Sequence, residues 1–487
     1  MKRSAVLGFA VGPIGAAALG FISLPASTWM FGAADIGRMA MLQTLTSLAI
    51  ILFGLGLDQS YLREFHQARN RFRLFWQVTA PGLLLLLGCG GLLVACAPGW
   101  VARGVFGLDA PALAYVAMLT ITASFCSRYF SLVLRMEERG FAFSMSQLLP
   151  KLLFVAALLT IYLAGSKRSF AHLLGAHVVS IVSATLIFAY NTRHSWSRTP
   201  ADAVADPIAL GSLVGYGMPL MVSGLAFWGL EAMDKVLLRM LSNFDQLGTY
   251  SVAAGIAAVA GTLSLLFTTI WIPTAYRWAG EPDCMPRIEQ IANKIVTLGI
   301  VIILGAGAFS WTLRYILPAT YSQVQYLICV AMLPPVLYAS SEVTGIGSGI
   351  ARKTSGVMLA SVIGCAVNLA GNLLLIPALG AAGAAVATAL SFFTVYVLRS
   401  EASMRSWAPM RRGRLYVPMA ALVFLAVAFA LTGARYAAFW VALWNILALS
   451  FIVWNRCLFT SMLAELLRRK PQAAPASSGP FAEAIEP

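Results

Sequence analysis

Residues 141–164 read FAFSMSQLLPKLLFVAALLTIYLA, an almost wholly apolar run around one lysine, Lys151. Crossing a bilayer takes about 20 apolar residues of helix, so this run is a membrane span. Lys151 follows Pro150 and lies about 15 Å in at 1.5 Å per residue. An ionisable group at that depth is costly and faces a cavity or a partner. Working outward, comparable runs occupy 6–28, 40–60, 75–97, 111–134 and 170–190 in the first part of the chain. Others occupy 209–233, 247–273, 293–314, 322–345, 355–376, 381–398, 415–433 and 437–456. The expected fold is an all-α polytopic membrane protein with about 14 transmembrane helices.

Composition agrees. The 487 residues are 59% apolar and only 11% charged, with mean hydropathy +0.80. Soluble domains carry about 25% charged residues. An ordinary soluble enzyme, a disordered chain and a disulfide scaffold are excluded, and the loops are too short for a large extramembrane domain. The net charge of +15 is a matter of topology, not of nucleic acid. Of 34 Lys and Arg residues, 24 fall on the face that carries both termini, Arg399 among them, and seven on the other. Positive residues stay inside, which places both termini in the cytoplasm. The seven Cys form no CxxC or Cys/His cluster, so neither a metal nor a cofactor is expected. HExxH, GxSxG and Walker loops are absent, so no catalytic residue is assigned.

The organisation is doubled. Pro13 echoes Pro219, Asp35 and Gly37 echo Asp245 and Gly248, and Gly175-Ala176 echoes Gly383-Ala384. An even number of helices per repeat gives parallel repeats facing one another across a central cleft. The expected division is a first lobe over 1–190, a cytoplasmic linker over 191–208 and a second lobe over 209–400. Two extra helices follow over 401–460, and then a disordered cytoplasmic tail over 461–487.

Intramembrane polar groups nominate the site. Lys151 is the strongest candidate for a cavity cation, and Arg128 lies nearer the cytoplasmic end of its helix. Glu342 is deep in the tenth span, either as a proton or cation site or as the partner of a buried cation. Glu231 and Lys235 are one turn apart and suit an ion pair. Asp234, between them on another face, is the better coupling residue. Asp58, Arg63 and Glu64 sit together at the cytoplasmic mouth. Gln43, Thr44, Thr46 and Ser47 in the second span, Tyr338 beside Glu342, and Asn368 with Asn372 are polar faces. They line a hydrated path or join helices by hydrogen bonds.

Several segments resemble the Wzx-like oligosaccharide flippases of the multidrug, oligosaccharidyl-lipid and polysaccharide exporter superfamily. They are Gly56-Leu-Asp-Gln-Ser-Tyr-Leu-Arg-Glu-Phe65, Leu134-Arg-Met-Glu-Glu-Arg139, Tyr216-Gly-Met-Pro-Leu220 with Leu225-Ala-Phe-Trp-Gly229 and Asp234-Lys235, and Leu247-Gly-Thr-Tyr-Ser-Val-Ala253. Asn368 through Leu375-Ile-Pro377 to Gly380-Ala-Ala-Gly-Ala-Ala385 completes the set. The resemblance implies two six-helix lobes in a V like that of the multidrug antiporters, alternating between inward- and outward-open states. It implies an undecaprenyl-pyrophosphate-linked oligosaccharide as substrate, turned to the periplasmic leaflet for O-antigen, capsule or exopolysaccharide. Lys151 and Arg128 would meet the pyrophosphate, and Arg63, Lys235, Gln43, Tyr338 and Asn368 are further substrate-binding candidates in the central cavity. Glu342, Asp234, Glu231 or Asp58 would couple transport to H+ or Na+, and polymerase or assembly proteins are the expected partners. Many members have twelve helices whereas lipid II flippases have fourteen, so a lipid II flippase stays open, as does a multidrug/cation antiporter. A polysaccharide polymerase or ligase is disfavoured, because no long periplasmic loop is present.

Overall fold

The computed structural model describes residues 3–165, 168–197 and 208–455. The tail from residue 461 and most of the expected linker lie outside them. The helices are α1 (Arg3–Met30), α2 (Ala33–Gly54), α3 (Leu57–Glu64), α4 (Arg71–Cys96), α5 (Pro98–Phe106), α6 (Ala112–Met136), α7 (Gly140–Leu163) and α8 (Phe170–Asn191). They continue with α9 (Leu210–Leu241), α10 (Phe244–Trp278), α11 (Cys284–Phe309), α12 (Val324–Thr344), α13 (Ser355–Leu379), α14 (Ala381–Ser406), α15 (Arg412–Thr432) and α16 (Ala437–Trp454). Thirteen helices among the described residues are long and apolar enough to cross a membrane. With the 28-residue α1 ahead of them, they fill the places of the fourteen expected spans.

Local chemistry sets several boundaries. Asn70 and Asn243 cap α4 and α10 by accepting from the backbone N–H groups of Arg73 and Gln246 at 2.8 and 2.9 Å, which satisfies donors left free in a first turn. The expected second span, 40–60, is not one helix. It starts earlier, at Ala33, and breaks at Leu55 and Gly56, whose φ angles are +52° and +66°. A left-handed residue ends an α-helix, and α3 sets off as a separate short helix.

Packing repeats between the halves. In the first, α1 packs on α7, α7 on α8, α6 on α8 and α2 on α6. In the second, α9 packs on α13, α13 on α14, α12 on α14 and α10 on α12. The starts keep step: Ala33 of α2 and Phe244 of α10 are 211 residues apart, as are Phe170 of α8 and Ala381 of α14. The halves meet where α2 lies against α10 and α9, α1 against α10, and α3 against α9. The extra α15 and α16 pack on α11, outside the repeat.

Two crossings in this seam are backbone on backbone. A Cβ on Gly37 would run into the carbonyl of Phe244, and one on Gly248 into that of Ala33. At the other end of α2, a Cβ on Gly56 would meet the carbonyl of Gly217, and one on Gly217 that of Leu55. Lipid gives helices no hydrophobic reason to associate, so close approach over small residues carries the contact. The halves touch at both ends of α2 at once.

Candidate functional site

The most enclosed charge lies in the second lobe. Asp234 on α9 is fully buried. Its Oδ2 accepts from the hydroxyl of Thr388 on α14 at 2.6 Å and from that of Tyr250 on α10. Asn368 Nδ2 donates to Thr388 Oγ1 at 3.3 Å, and Asn372 Nδ2 to Asn368 Oδ1 at 3.0 Å. Asp234 Oδ1 and Asn372 Oδ1 are also buried and have no protein donor. Burying a carboxylate without full compensation is expensive, and this hydrogen-bonded nest keeps a spare acceptor at each end, Asp234 Oδ1 and Asn372 Oδ1. The four helices α9, α10, α13 and α14 all contribute, so the nest reports on their relative positions.

Beside it is a cavity of about 650 Å³ bordered by Phe227, Glu231, Tyr250, Tyr338, Thr388 and Phe392. Glu231 is accessible within this cavity, which makes it a lining residue. Among the described residues no ion pair joins Glu231 to Lys235, although the two are one turn apart. Tyr338 turns out to share the cavity with Glu231 and Asp234's partners, a neighbourhood that spacing alone does not show.

The other candidates fall at three places. Lys151 Nζ donates to the carbonyl of Ala16 on α1 at 2.7 Å, with Gly20 beside it, so the deep cation joins α7 to α1. Arg128 and Asp58 form an ion pair at 3.0 Å, bringing together two residues expected to serve different ligands. Arg63 lies over the ring of Tyr216 at 4.6 Å, across the seam between α3 and α9. Glu342 is paired with Arg399 at 2.6 Å, both largely buried. Of the two roles open to Glu342, this geometry is that of a partner to a buried cation. Gln43 is exposed on α2. Of its polar neighbours, Thr44 and Thr46 donate to carbonyls of their own helix, while Ser47 accepts from Trp228 of α9 at 2.9 Å.

Reasoning from sequence missed Tyr250 and Thr388 as partners of Asp234, and Arg399 as the partner of Glu342. A hint existed for the first: Asn368 and Asn372, at i,i+4, need polar neighbours when buried. At the α1–α2 end, Phe244 is held between the guanidinium groups of Arg38 and Arg239, 5.3 and 4.5 Å from its ring centre. Arg239 also donates to the carbonyl of Arg103 at 2.9 Å, and Arg38 to that of Phe106 at 3.0 Å. That latch likewise went unseen, because a single Phe among 27 carries no signal.

Comparison with known proteins now adds to the geometry. The family model described as polysaccharide biosynthesis protein matches residues 6–278, more than half of the chain. Over 195 residues the chain is 23% identical to the probable low-salt glycan biosynthesis flippase Agl15 of Haloferax volcanii. That match spans 39% of this chain and 41% of the relative's length. The solved structure of the lipid II flippase MurJ in an inward closed conformation superposes with a TM-score of 0.66 at 10% identity, over 93% of this chain and 99% of that one. An inward-facing multidrug resistance MATE family transporter of the MOP superfamily gives 0.51 at 13% identity, over 84% and 95%. At such identities the two structures speak for the fold alone.

Proposed function

Because the chain belongs to the polysaccharide biosynthesis protein family, whose members are flippase-type membrane transporters and not enzymes, we propose that it flips an undecaprenyl-pyrophosphate-linked oligosaccharide. The substrate moves from the cytoplasmic to the periplasmic leaflet of a bacterial inner membrane and feeds a surface polysaccharide. Both termini are cytoplasmic in this reading, so α3 lies at the cytoplasmic end of the seam and the Phe244 latch at the periplasmic end. The boundaries at 190, 208 and 400 divide the two rocking lobes from their linker and the extra pair. One observation supports the reading: the buried Asp234 nest and a cavity bordered by Glu231 lie among apolar helices α9, α10, α12 and α14, of which α9 and α10 pack against the other half.

Lys151, Arg128, Arg63 and Lys235 supply cations to the pyrophosphate as the seam opens. Lys151 exchanges the Ala16 carbonyl for phosphate oxygen, a stronger, charge-assisted partner. Gln43 and Tyr338 offer polar and aromatic contacts to the glycan. The coupling ion, Na+ or H+, is held at Asp234 with Asn368, Asn372 and Thr388. One carboxylate and neutral oxygens match a single positive charge. Binding there draws α9 towards α14 and so moves the helix that borders the other lobe.

The test is a deletion strain. Intact oligosaccharide-lipid held in the cytoplasmic leaflet, with surface glycan lost and peptidoglycan normal, is the expected result. Accumulation in the periplasmic leaflet would point to a polymerase or ligase step instead, and arrested peptidoglycan to lipid II.

A further inference from the structure

The extra helices do more than pad the second lobe. At the α1–α2 end, α16 and the segment after α11 enclose a cavity of about 1070 Å³. Trp29, Trp311, Tyr321, Tyr326 and Phe429 line it with aromatic faces, and Arg314 adds a guanidinium. The wall from α16 is built of Ala437, Ala438, Val441 and Ala442, small side chains that leave space there. Arg314 lies over Tyr315 at 5.3 Å and enters no ion pair among the described residues. The cavity is separate from the Asp234 nest and shares no lining residue with the 650 Å³ cavity.

We propose that this cavity binds the phosphate end of a membrane lipid. Three physical facts meet there. Trp and Tyr concentrate at the level of the headgroups, so the opening lies where lipid phosphates are densest. A lone guanidinium forms charge-assisted, bidentate hydrogen bonds with phosphate oxygens. The aromatic and alanine walls accept the apolar stem that follows the phosphate. The rim also joins the two halves: Trp29 Nε1 of α1 donates to the carbonyl of Ile316 at 2.8 Å, and Tyr321 donates to the carbonyl of Phe31 at 3.5 Å. A lipid seated here touches both lobes and favours the state in which this end is closed. The phosphate has two sources, a bulk glycerophospholipid or the polyprenyl carrier. The site rests on the membrane fold and stands apart from the flippase reading.

Native mass spectrometry of the full-length protein tests it, with phosphatidylglycerol and undecaprenyl phosphate as probes and inorganic phosphate as competitor. Arg314→Gln changes charge at an exposed position, and Ala442→Trp fills the cavity. Retained lipid should fall roughly fivefold in Arg314→Gln, the weight of one basic residue against anionic lipid, and at least as far in Ala442→Trp. Inorganic phosphate alone should not displace it. Displacement of phosphatidylglycerol by undecaprenyl phosphate assigns the carrier as the source, and the reverse order assigns bulk phospholipid. Equal lipid retention by wild type and both variants would overturn the proposal. Because the readout is lipid and not transport, a failed flippase assay leaves this result interpretable.

Discussion

Asp234 on α9 accepts a 2.6 Å hydrogen bond from Thr388 on α14, which joins the helix bordering the opposite lobe to the one enclosed at the centre of its own. A displacement of α9 against α14 would strain this bond. In the mechanism proposed above, a cation entering the nest and a lobe leaving the seam would be one event.

Asp234→Asn should keep the protein folded, since the amide is isosteric, and uncouple transport. In vesicles with an imposed Na+ or H+ gradient, flipping should drop roughly tenfold or more. A hydrogen bond to a charged group is worth about 1.5–3 kcal/mol, and about 1.4 kcal/mol is a factor of ten. Thr388→Val should show a smaller loss of the same kind. A full response to both gradients in Asp234→Asn would remove the nest from the mechanism.

The two glycine crossings should act in opposite directions. Gly217→Ala puts a methyl against the carbonyl of Leu55 and should hold the α3 end apart. Gly248→Ala meets the carbonyl of Ala33 and should hold the Phe244 end apart. Cysteine labelling from either side of the membrane reads this directly. Identical labelling patterns in the two variants would show that the crossings are passive packing.

Lys151→Ala should abolish surface glycan while leaving the protein in the membrane at normal levels. Lys151→Arg, which keeps the charge, should retain part of it. Normal glycan in the alanine variant would reduce Lys151 to a clip between α7 and α1.

Glu342→Gln tests a different property. Removing one member of a buried ion pair leaves the other uncompensated, at a cost of roughly 3–5 kcal/mol. Thermal stability in detergent should fall, and Arg399→Met added to Glu342→Gln should restore much of it. The gradient response of the surviving protein should be unchanged. A lost response with unchanged stability would instead make Glu342 the coupling group.

The spans were legible because long apolar runs need no periodicity to be seen. Their ends were not, for one physical reason. The seventh span reads as ending near 233, where charged residues begin to crowd in, yet α9 continues to Leu241. Two of its charges find partners within the protein, Asp234 in Tyr250 and Thr388 and Arg239 in the Arg103 carbonyl. Asp35 and Arg38 hide the start of α2 in the same way, their charges joined at 2.7 Å. Arg399, counted with the cytoplasmic basic residues, turns inward to Glu342. Intramembrane charge is thus both the best pointer to the site and the main source of misplaced boundaries. The partners of each charge come from helices far away in the chain, and a single sequence does not state those pairings.

Gly37 and Gly56 are nineteen residues apart along one arm of the chain, about 28 Å at helical rise, close to the thickness of the hydrocarbon layer. The arm is pinned to the other lobe at each extremity. In the proposed alternating-access cycle, the pin that stays when the other is released would serve as the fulcrum on which the lobes swing. In the proposed cycle such a seesaw would not lift both ends together, which would keep the barrier leak-tight during turnover.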